Sequence, residues 1–206
     1  MCGRFYTDDD DEQYRAVLDL LYQQDPEDED LLMRKTGEIL PTDRVPVLLP
    51  KGPAMMRWGF SRYDGKGKVI NARSETALEK PMFRTPMLEG AQTEGKPRVV
   101  ATGRCLIPAA SYFEWEARGG KKIKYRLRPE REGLFTFAGL FRSEAGAQTP
   151  VFVILTAPAA QGISFIHDRM PLILPEEQRE AWLRGGEGAR ELLRGGTQAI
   201  AYEPCD

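Results

Sequence analysis

Apolar residues near the start of the chain recur at the spacing of one helix face. Thr7 stands before them as a potential N-cap, and acidic residues fill the first turn, where they favour the helix dipole. The pattern predicts an amphipathic helix that lies on a hydrophobic core. Its apolar face consists of Tyr14, Val17, Leu18, Leu21 and Tyr22.

Beyond this helix the pattern changes to short segments rich in β-branched and aromatic residues, separated by Gly, Pro and charged turns. Helical patterns return at Ala77–Arg84 and at Glu176–Arg184, and the second of these starts after Pro175 and stops at Gly185. The predicted strands lie at residues 45–49, 54–59, 68–72, 104–107, 111–116, 122–128, 134–142, 151–156 and 198–202.

These elements predict a strand-dominated α+β fold with a mixed, barrel-like β core and a few flanking helices. A length of 206 residues suits one domain, which we place at residues 1–206. The stretch Glu89–Lys96 is polar and contains glycine, so it is interpreted as a surface loop within that domain.

The three cysteines, at positions 2, 105 and 205, are odd in number and form no C-x-x-C pair. This argues against a disulfide framework and against a zinc site. No apolar run is long enough to span a bilayer, and the N-terminus lacks the features of a signal peptide. We therefore expect a cytoplasmic protein, associated with the nucleoid if its source is bacterial, with no metal and no other cofactor.

The net charge of −2 hides an asymmetry along the chain. Residues 1–30 hold 11 acids and 2 bases, which leaves 20 acids and 27 bases, a net charge of +7, over residues 31–206. That body could carry a basic groove for a nucleic acid. An ordinary mixed surface beside one acidic helix explains the same numbers equally well.

Cys2 is the most distinctive residue. Removal of Met1, which is usual before so small a side chain, would leave Cys2 with a free α-amine and a thiol on adjacent carbons. An aldehyde can condense with such an amine and then take the thiol, which closes a thiazolidine ring. The α-amine titrates near pH ~8, well below a lysine. From this residue alone, a small buried side chain is the simpler interpretation.

Three internal segments mix polar groups into apolar strands, where an unpaired polar group is costly. They are Asn71–Glu75, Ser111–Trp115 and His167–Pro171. Strand alternation places Tyr112 and Glu114 on one face and Trp115 on the other, so Glu114 could line a pocket. The pattern alone favours the alternative, a solvent face with Trp115 in the core. His167 is the single histidine and stands beside Asp168, which makes it an acid/base candidate, although a lone histidine is more often structural.

Seven short motifs occur in order over nearly the whole chain. They are Met1-Cys-Gly-Arg-Phe5, Met56-Arg-Trp-Gly59, Asn71-Ala-Arg-Ser-Glu-Thr76 with Lys80-Pro81 and Phe83-Arg84, Arg104-Cys-Leu-Ile-Pro-Ala109, Tyr112-Phe-Glu-Trp115, Phe137-Ala-Gly-Leu140 and His167-Asp-Arg-Met-Pro171. Together they closely resemble the SOS-response-associated peptidase (SRAP) family, the abasic-site shielding proteins. The ordered set is far more specific than any single motif.

The resemblance implies an activity that fits the chemistry of Cys2. Family members bind single-stranded DNA that contains an abasic site and trap its ring-opened aldehyde in a thiazolidine. By similarity, Cys2 is the nucleophile and Asn71 orients the adduct. Glu114 would move protons during opening of the sugar ring, and His167 would assist Schiff-base formation and crosslink reversal.

The resemblance also implies DNA contacts. Arg4, Arg73 and Arg169 resemble the phosphate-contacting arginines of the family, and Trp115 either packs structurally or offers an aromatic surface to a base or sugar. The expected partner is single-stranded DNA with abasic sites, bound by a monomer and away from any membrane. Contacts with the replication machinery cannot be deduced from the residues.

Two segments depart from the family pattern. Gly37-Glu-Ile-Leu40 replaces an aromatic-Asn pair, and Ser61-Arg-Tyr-Asp64 replaces a Val-Pro-x-Trp segment. Both help to shape the DNA cleft in the family, so the DNA path is not carried over here. Two other functions remain open: an N-terminal-nucleophile amide hydrolase, in which the Cys2 amine acts as base, and a non-covalent single-stranded DNA binder.

Overall fold

Short strands dominate the described part of the chain. The computed structural model describes residues 2–88, 102–131, 133–195 and 199–205. The helices are α1 (Glu12–Gln24), α2 (Glu29–Leu32), α3 (Pro81–Leu88), α4 (Glu176–Arg184) and α5 (Gly186–Leu192). The strands are β1 (Arg4–Thr7), β2 (Gly37–Ile39), β3 (Arg44–Leu49), β4 (Gly52–Trp58), β5 (Phe60–Ser61), β6 (Lys68–Val69), β7 (Asn71–Arg73), β8 (Thr102–Ala109), β9 (Ser111–Arg118), β10 (Lys121–Pro129), β11 (Phe135–Arg142), β12 (Val151–Pro158), β13 (Arg169–Pro171), β14 (Ile173–Leu174) and β15 (Ile200–Pro204).

The strands form a ring and a sheet. Strands β12, β4, β3, β8 and β11 pair in that order, and β11 pairs with β12 again, which closes the ring. The pairing of β12 with β4 and with β7 is parallel and the other described pairings are antiparallel. A second sheet has the order β15-β10-β9-β1-β2. The predicted strand-dominated α+β fold with a mixed, barrel-like core is confirmed.

Two hydrophobic clusters hold these layers together. The main core joins the inner side of the second sheet to the ring and includes Phe5, Tyr112 and Phe137. The second cluster packs α3, α4 and α5 on the ring through residues such as Phe83 and Trp182. Both clusters include residues of the ring strands. The second sheet therefore packs on one side of these strands, and α3, α4 and α5 pack on the other. No helix among the described residues is long and apolar enough to cross a membrane.

Helix boundaries differ from the sequence prediction at two places. Asp11, not Thr7, caps α1 by accepting a hydrogen bond from the Tyr14 backbone N–H at 2.9 Å, because Thr7 is buried in β1. The helix predicted at Ala77–Arg84 begins only at Pro81, whose missing N–H is no loss at a first helical position. The loop predicted at Glu89–Lys96 lies outside the described residues.

A buried arginine ties two helices to the ring. The Arg104 guanidinium on β8 donates hydrogen bonds to the Trp182 carbonyl at 2.8 Å and the Met87 carbonyl at 2.6 Å. These carbonyls belong to the last turns of α4 and α3, where no intrahelical donor remains. Gly185, with φ of 85°, closes α4 directly over this guanidinium.

Candidate functional site

Cys2 lies directly before β1 and is fully buried in the main core. Its thiol approaches the Arg4 carbonyl oxygen at 3.6 Å. Burial, together with the negative charge of Glu114, raises the pKa of the Cys2 thiol well above its ordinary value. A raised pKa disfavours the thiolate, which is the nucleophilic form of a cysteine.

Asn71 holds the backbone of Cys2. Its side-chain amide nitrogen donates a hydrogen bond to the Cys2 carbonyl oxygen at 2.7 Å, across 69 residues of sequence. Among the described residues, no group hydrogen-bonds to the Asn71 side-chain oxygen. Asn71 therefore fixes Cys2 with one end of its amide and presents a buried acceptor with the other.

Strand β12 brings the distant polar segments together. It pairs in parallel with β7, so that Ile154 lies opposite Asn71, and in antiparallel with β13, so that Pro158 lies opposite Arg169. Both polar segments therefore flank the second half of β12, and the ion pair of Arg169 with Glu75 joins them.

Glu114 and Tyr112 enter the same region from β9. Both face inward, with exposed fractions of 4% and 0%, whereas Trp115 is half-buried on the outer face. The alternative with Trp115 in the core is therefore wrong. Burial raises the pKa of the Glu114 carboxyl and that of the Tyr112 hydroxyl. A carboxyl group with a raised pKa keeps its proton to higher pH, as a general acid requires.

His167 has partners suited to both of its protonation states. Its Nδ1 accepts a hydrogen bond from the Arg169 backbone N–H at 3.0 Å, which suits a neutral ring. The same nitrogen lies 2.8 Å from an Asp168 carboxylate oxygen, which suits a protonated ring. The charge of His167 also opposes the rise of the Glu114 pKa, so the two groups act on each other electrostatically.

The three predicted phosphate-binding arginines differ in their surroundings. Arg73 is exposed at the end of β7. Arg169 is only 8% exposed; its guanidinium donates to both carboxylate oxygens of Glu75 and to the Thr156 carbonyl at 2.6 Å. The hydrogen bonds from Arg169 hold the pKa of Glu75 at about 2. Arg169 is therefore already paired with Glu75, and a phosphate that bound its guanidinium would compete with that carboxylate.

Arg4 is exposed in part but is also paired. It donates a hydrogen bond at 2.5 Å to Glu38 on β2, and its guanidinium lies 5.4 Å from the centroid of the Trp115 ring. The same carboxylate accepts a hydrogen bond from Lys124 at 3.0 Å. Arg4 and Trp115, both predicted as DNA contacts, thus contact each other, and Arg4 is two residues from Cys2 in the sequence.

Sequence reasoning missed several members of this constellation. Glu75 stood within a quoted motif but had no assigned role, and Lys124 had no signal apart from its charge. Glu38 lies in one of the two segments that depart from the family pattern, and that departure was the available clue. The described residues contain no cluster of three or more His, Cys, Asp or Glu side chains that could hold a metal ion.

Comparison with known proteins settles the family. A family model described as SOS response associated peptidase (SRAP) matches residues 1–203. The chain belongs to the SRAP family. The motif resemblance is thereby confirmed, and the residues gathered around Cys2 are those by which this SRAP chain was recognised.

Named relatives of this SRAP chain are abasic site processing proteins. Abasic site processing protein YoaM of Bacillus subtilis (strain 168) is 31% identical over 224 residues, covering 100% of this chain and 88% of that protein. Abasic site processing protein YedK of Escherichia coli (strain K12) is 31% identical over 207 residues, covering 95% and 86% respectively.

The fold of this SRAP chain also matches solved structures. A crystal structure of a protein from Bacteroides thetaiotaomicron superposes with a TM-score of 0.76 at 21% identity and covers 100% of this chain and 92% of that one. At this level of identity the match supports the fold alone.

Proposed function

We propose that this protein binds abasic sites in single-stranded DNA and, once Met1 is removed, forms a covalent thiazolidine crosslink through Cys2. The observation that carries the proposal is the placement of Cys2: Asn71 holds its carbonyl at 2.7 Å, and the buried Glu114 carboxyl acts on its thiol electrostatically. Membership of the SRAP family and the names of its relatives support the choice of DNA lesion.

The reaction begins at the amine. The Cys2 α-amine attacks the sugar aldehyde and forms a C–N bond, and the carbonyl oxygen leaves as water to give an imine. The thiol then adds to the imine carbon, and its proton passes to the nitrogen as the C–S bond closes the ring. A neutral, buried thiol suits this order, because it acts second and within the complex.

The surrounding residues have separate roles in this proposal. Glu114 exchanges a proton with the ring oxygen of the closed sugar, which is the main form of an abasic site, and so supplies the aldehyde. His167 provides the proton needed for loss of water and its reversal. Asn71 keeps Cys2 in position. Its side-chain oxygen and the Tyr112 hydroxyl, which have no hydrogen-bond partner in the part of the chain that the structure describes, offer polar contacts to the sugar.

The test is a crosslinking assay with an oligonucleotide that carries one abasic site. We expect a band that survives heat and denaturant, and an intact mass equal to protein plus DNA less one water. Cys2→Ser keeps the amine, so it should give an imine that borohydride traps but no heat-stable product. A preparation shown by mass to retain an extra residue before Cys2 has no amine and thiol on the same residue, so it should give no heat-stable product.

Each rival function has its own outcome. A simple DNA binder would shift the band only under native conditions, and an amide hydrolase would cleave a peptide substrate without forming an adduct. Equal crosslinking by the N-terminally extended protein would refute the role of the Cys2 amine. A tetrahydrofuran analogue of the lesion, which has no aldehyde, is the matched DNA control.

A further inference from the structure

The outer face of β10 is basic at four successive outward positions. Side chains alternate along a strand, so the residues between them point into the core. The inward positions are Ile123, Tyr125, Leu127 and Pro129, and the outward ones are Lys122, Lys124, Arg126 and Arg128. Outward neighbours on one strand lie roughly 7 Å apart, so these four cations form a regular row.

Strand register places aromatic rings beside this row. Trp115 of β9 lies opposite Lys124, and Phe113 lies opposite Arg126 on one side and Arg4 on the other. The Lys124 ammonium is 4.1 Å from the centroid of the Phe113 ring. Cations held over aromatic faces are partly ordered before a ligand arrives, which lowers the entropic cost of binding.

The charge of this surface is opposite to that of the whole chain. We call the outward positions of β15, β10, β9, β1 and β2 the outer sheet face. Among its described residues it holds five cations and two carboxylates, a net charge of +3, whereas the whole chain carries −2. The cations are Arg4, Lys122, Lys124, Arg126 and Arg128, and the carboxylates are Glu38 and Glu203.

The outer sheet face is continuous with the candidate site. Arg4 is two residues from Cys2 and contacts Trp115, and from there the basic positions extend across β9 to β10. On the other side of β1, the outward position of β2 is acidic, at Glu38. The basic surface therefore leads away from Cys2 in one direction.

We infer that the outer sheet face binds the sugar–phosphate backbone of the single-stranded DNA that flanks the lesion on one side. This inference rests on the proposed function and extends it from the lesion to its neighbours. Cations supply phosphate contacts, and the half-buried rings of Tyr6 and Trp115 lie beside them, which is the mixture found in single-strand binding surfaces. Phe113 is buried and supports Lys124 from below.

The test compares two double variants of equal charge change. Lys122→Gln with Arg128→Gln alters two exposed positions of the outer sheet face, whereas Arg15→Gln with Arg184→Gln alters exposed positions on α1 and α4. The affinity for DNA is measured over a range of salt concentrations. The three oligonucleotides carry a tetrahydrofuran lesion near the 5′ end, near the 3′ end, or in a short strand without flanks.

For the unaltered protein we expect one of the two flanks to raise affinity and the other to add little. The outer-face variant should lose that gain, and its salt slope should fall by about 1.4, since a single-strand phosphate contact contributes about 0.7. The control variant should keep both the gain in affinity and the salt slope of the unaltered protein. Equal slopes and an equal gain from the flank in both variants would overturn the inference.

Failure of the proposed function gives a different result. A short abasic oligonucleotide without flanks should crosslink equally to the unaltered protein and to both variants, since none of the four altered residues lies near Cys2. Absence of crosslinking to the unaltered protein would refute the chemistry at Cys2, while the salt measurements on the unreactive lesion would still report on the outer sheet face.

Discussion

At the residue scale, the site separates two nucleophiles that share one residue. The Cys2 thiol lies in the core, where burial raises its pKa, whereas in the proposed reaction the α-amine freed by loss of Met1 attacks the aldehyde. Glu114 and His167 both move protons in the proposed reaction, but on different atoms. Single substitutions can therefore distinguish opening of the sugar from formation of the imine.

Glu114→Gln keeps the shape of the side chain and removes its acid. Trapping of a closed abasic sugar should slow by about 100-fold or more, the usual contribution of general acid–base catalysis. A small aldehyde needs no ring opening, so it should react with Glu114→Gln nearly as fast as with the unaltered protein.

His167→Ala should instead slow both capture of the abasic site and reversal of the crosslink. Time courses measure the rates of adduct formation with abasic DNA and with the small aldehyde, and a chase with competing abasic DNA measures the rate of reversal. If Glu114→Gln slows the reactions of both substrates equally, its proposed role is contradicted.

Glu38 pairs with two of the cations that are proposed to contact DNA. Its carboxylate accepts hydrogen bonds from Arg4 and Lys124; these outweigh the opposing effect of partial desolvation and lower its pKa. Glu38→Gln should raise affinity for single-stranded DNA by about 5-fold, the equivalent of ~1 kcal/mol for partly exposed ion pairs. Glu180→Gln makes the same charge change on α4 and should leave affinity unaltered. Unchanged binding in Glu38→Gln would show that its partners do not contact phosphate.

At the element scale, the ends of α3 and α4 depend on one buried guanidinium. Arg104 occupies the space under Gly185, and a Cβ at that position would lie 2.1 Å from the Arg104 Nη2. Gly185 also has φ of 85°, a conformation that L-residues rarely adopt. The junction of α4 and α5 is thus fixed by a contact from β8 as much as by its own sequence.

Gly185→Ala should therefore destabilise the protein by about 2 kcal/mol or more, from backbone strain and the clash with Arg104. Gly186→Ala is the matched control, because its φ is 74° but no heavy atom lies within 4 Å of its Cβ position. Urea unfolding of both variants separates the two contributions. Equal losses would mean that Arg104 moves aside without cost.

Local patterns were sufficient for the long elements and insufficient for the short ones. Strands such as β9 and β11 have clear alternation or long apolar runs, and α4 has a proline before it and a glycine after it. Strands β1 and β2 are four and three residues long and have too few positions to show a period. The alternation in β9 predicted that Glu114 and Trp115 face opposite ways, but which of them faces the core depends on the ring packed against it. The pairing of Glu38 with Arg4 depends on register between distant segments and has no local signal.

At the scale of the whole molecule, the ring and the second sheet enclose thiols that cannot ionise without disrupting the core. Cys105 lies on β8, is fully buried, and has a pKa raised by that burial. An unfolded cysteine ionises near pH ~8.5. Above that pH the unfolded chain releases a proton that the folded chain keeps, so the linkage favours unfolding.

Stability should therefore fall as the pH rises from about 8 to 10. Cys105→Ala should be less stable at every pH because of the cavity it leaves, but its slope should be shallower by up to ~1.4 kcal/mol per pH unit. Tyr14, whose pKa is raised to about 12 by burial, extends the fall at higher pH in both proteins. Urea unfolding across this range provides the measurement, with Cys205→Ala, outside the core, as the control. Parallel slopes for the unaltered protein and Cys105→Ala would contradict the assignment.

The burial of the Cys2 sulfur also determines which reagents this protein resists. Haloacetamides, acrylamides and peroxides select cysteines by exposure and thiolate character, and Cys2 offers neither. In the proposed reaction a carbonyl compound attaches to the amine first and needs the sulfur only afterwards. An inhibitor directed at Cys2 would accordingly carry an aldehyde, whereas conventional cysteine-directed electrophiles should modify the partly exposed Cys205 before Cys2.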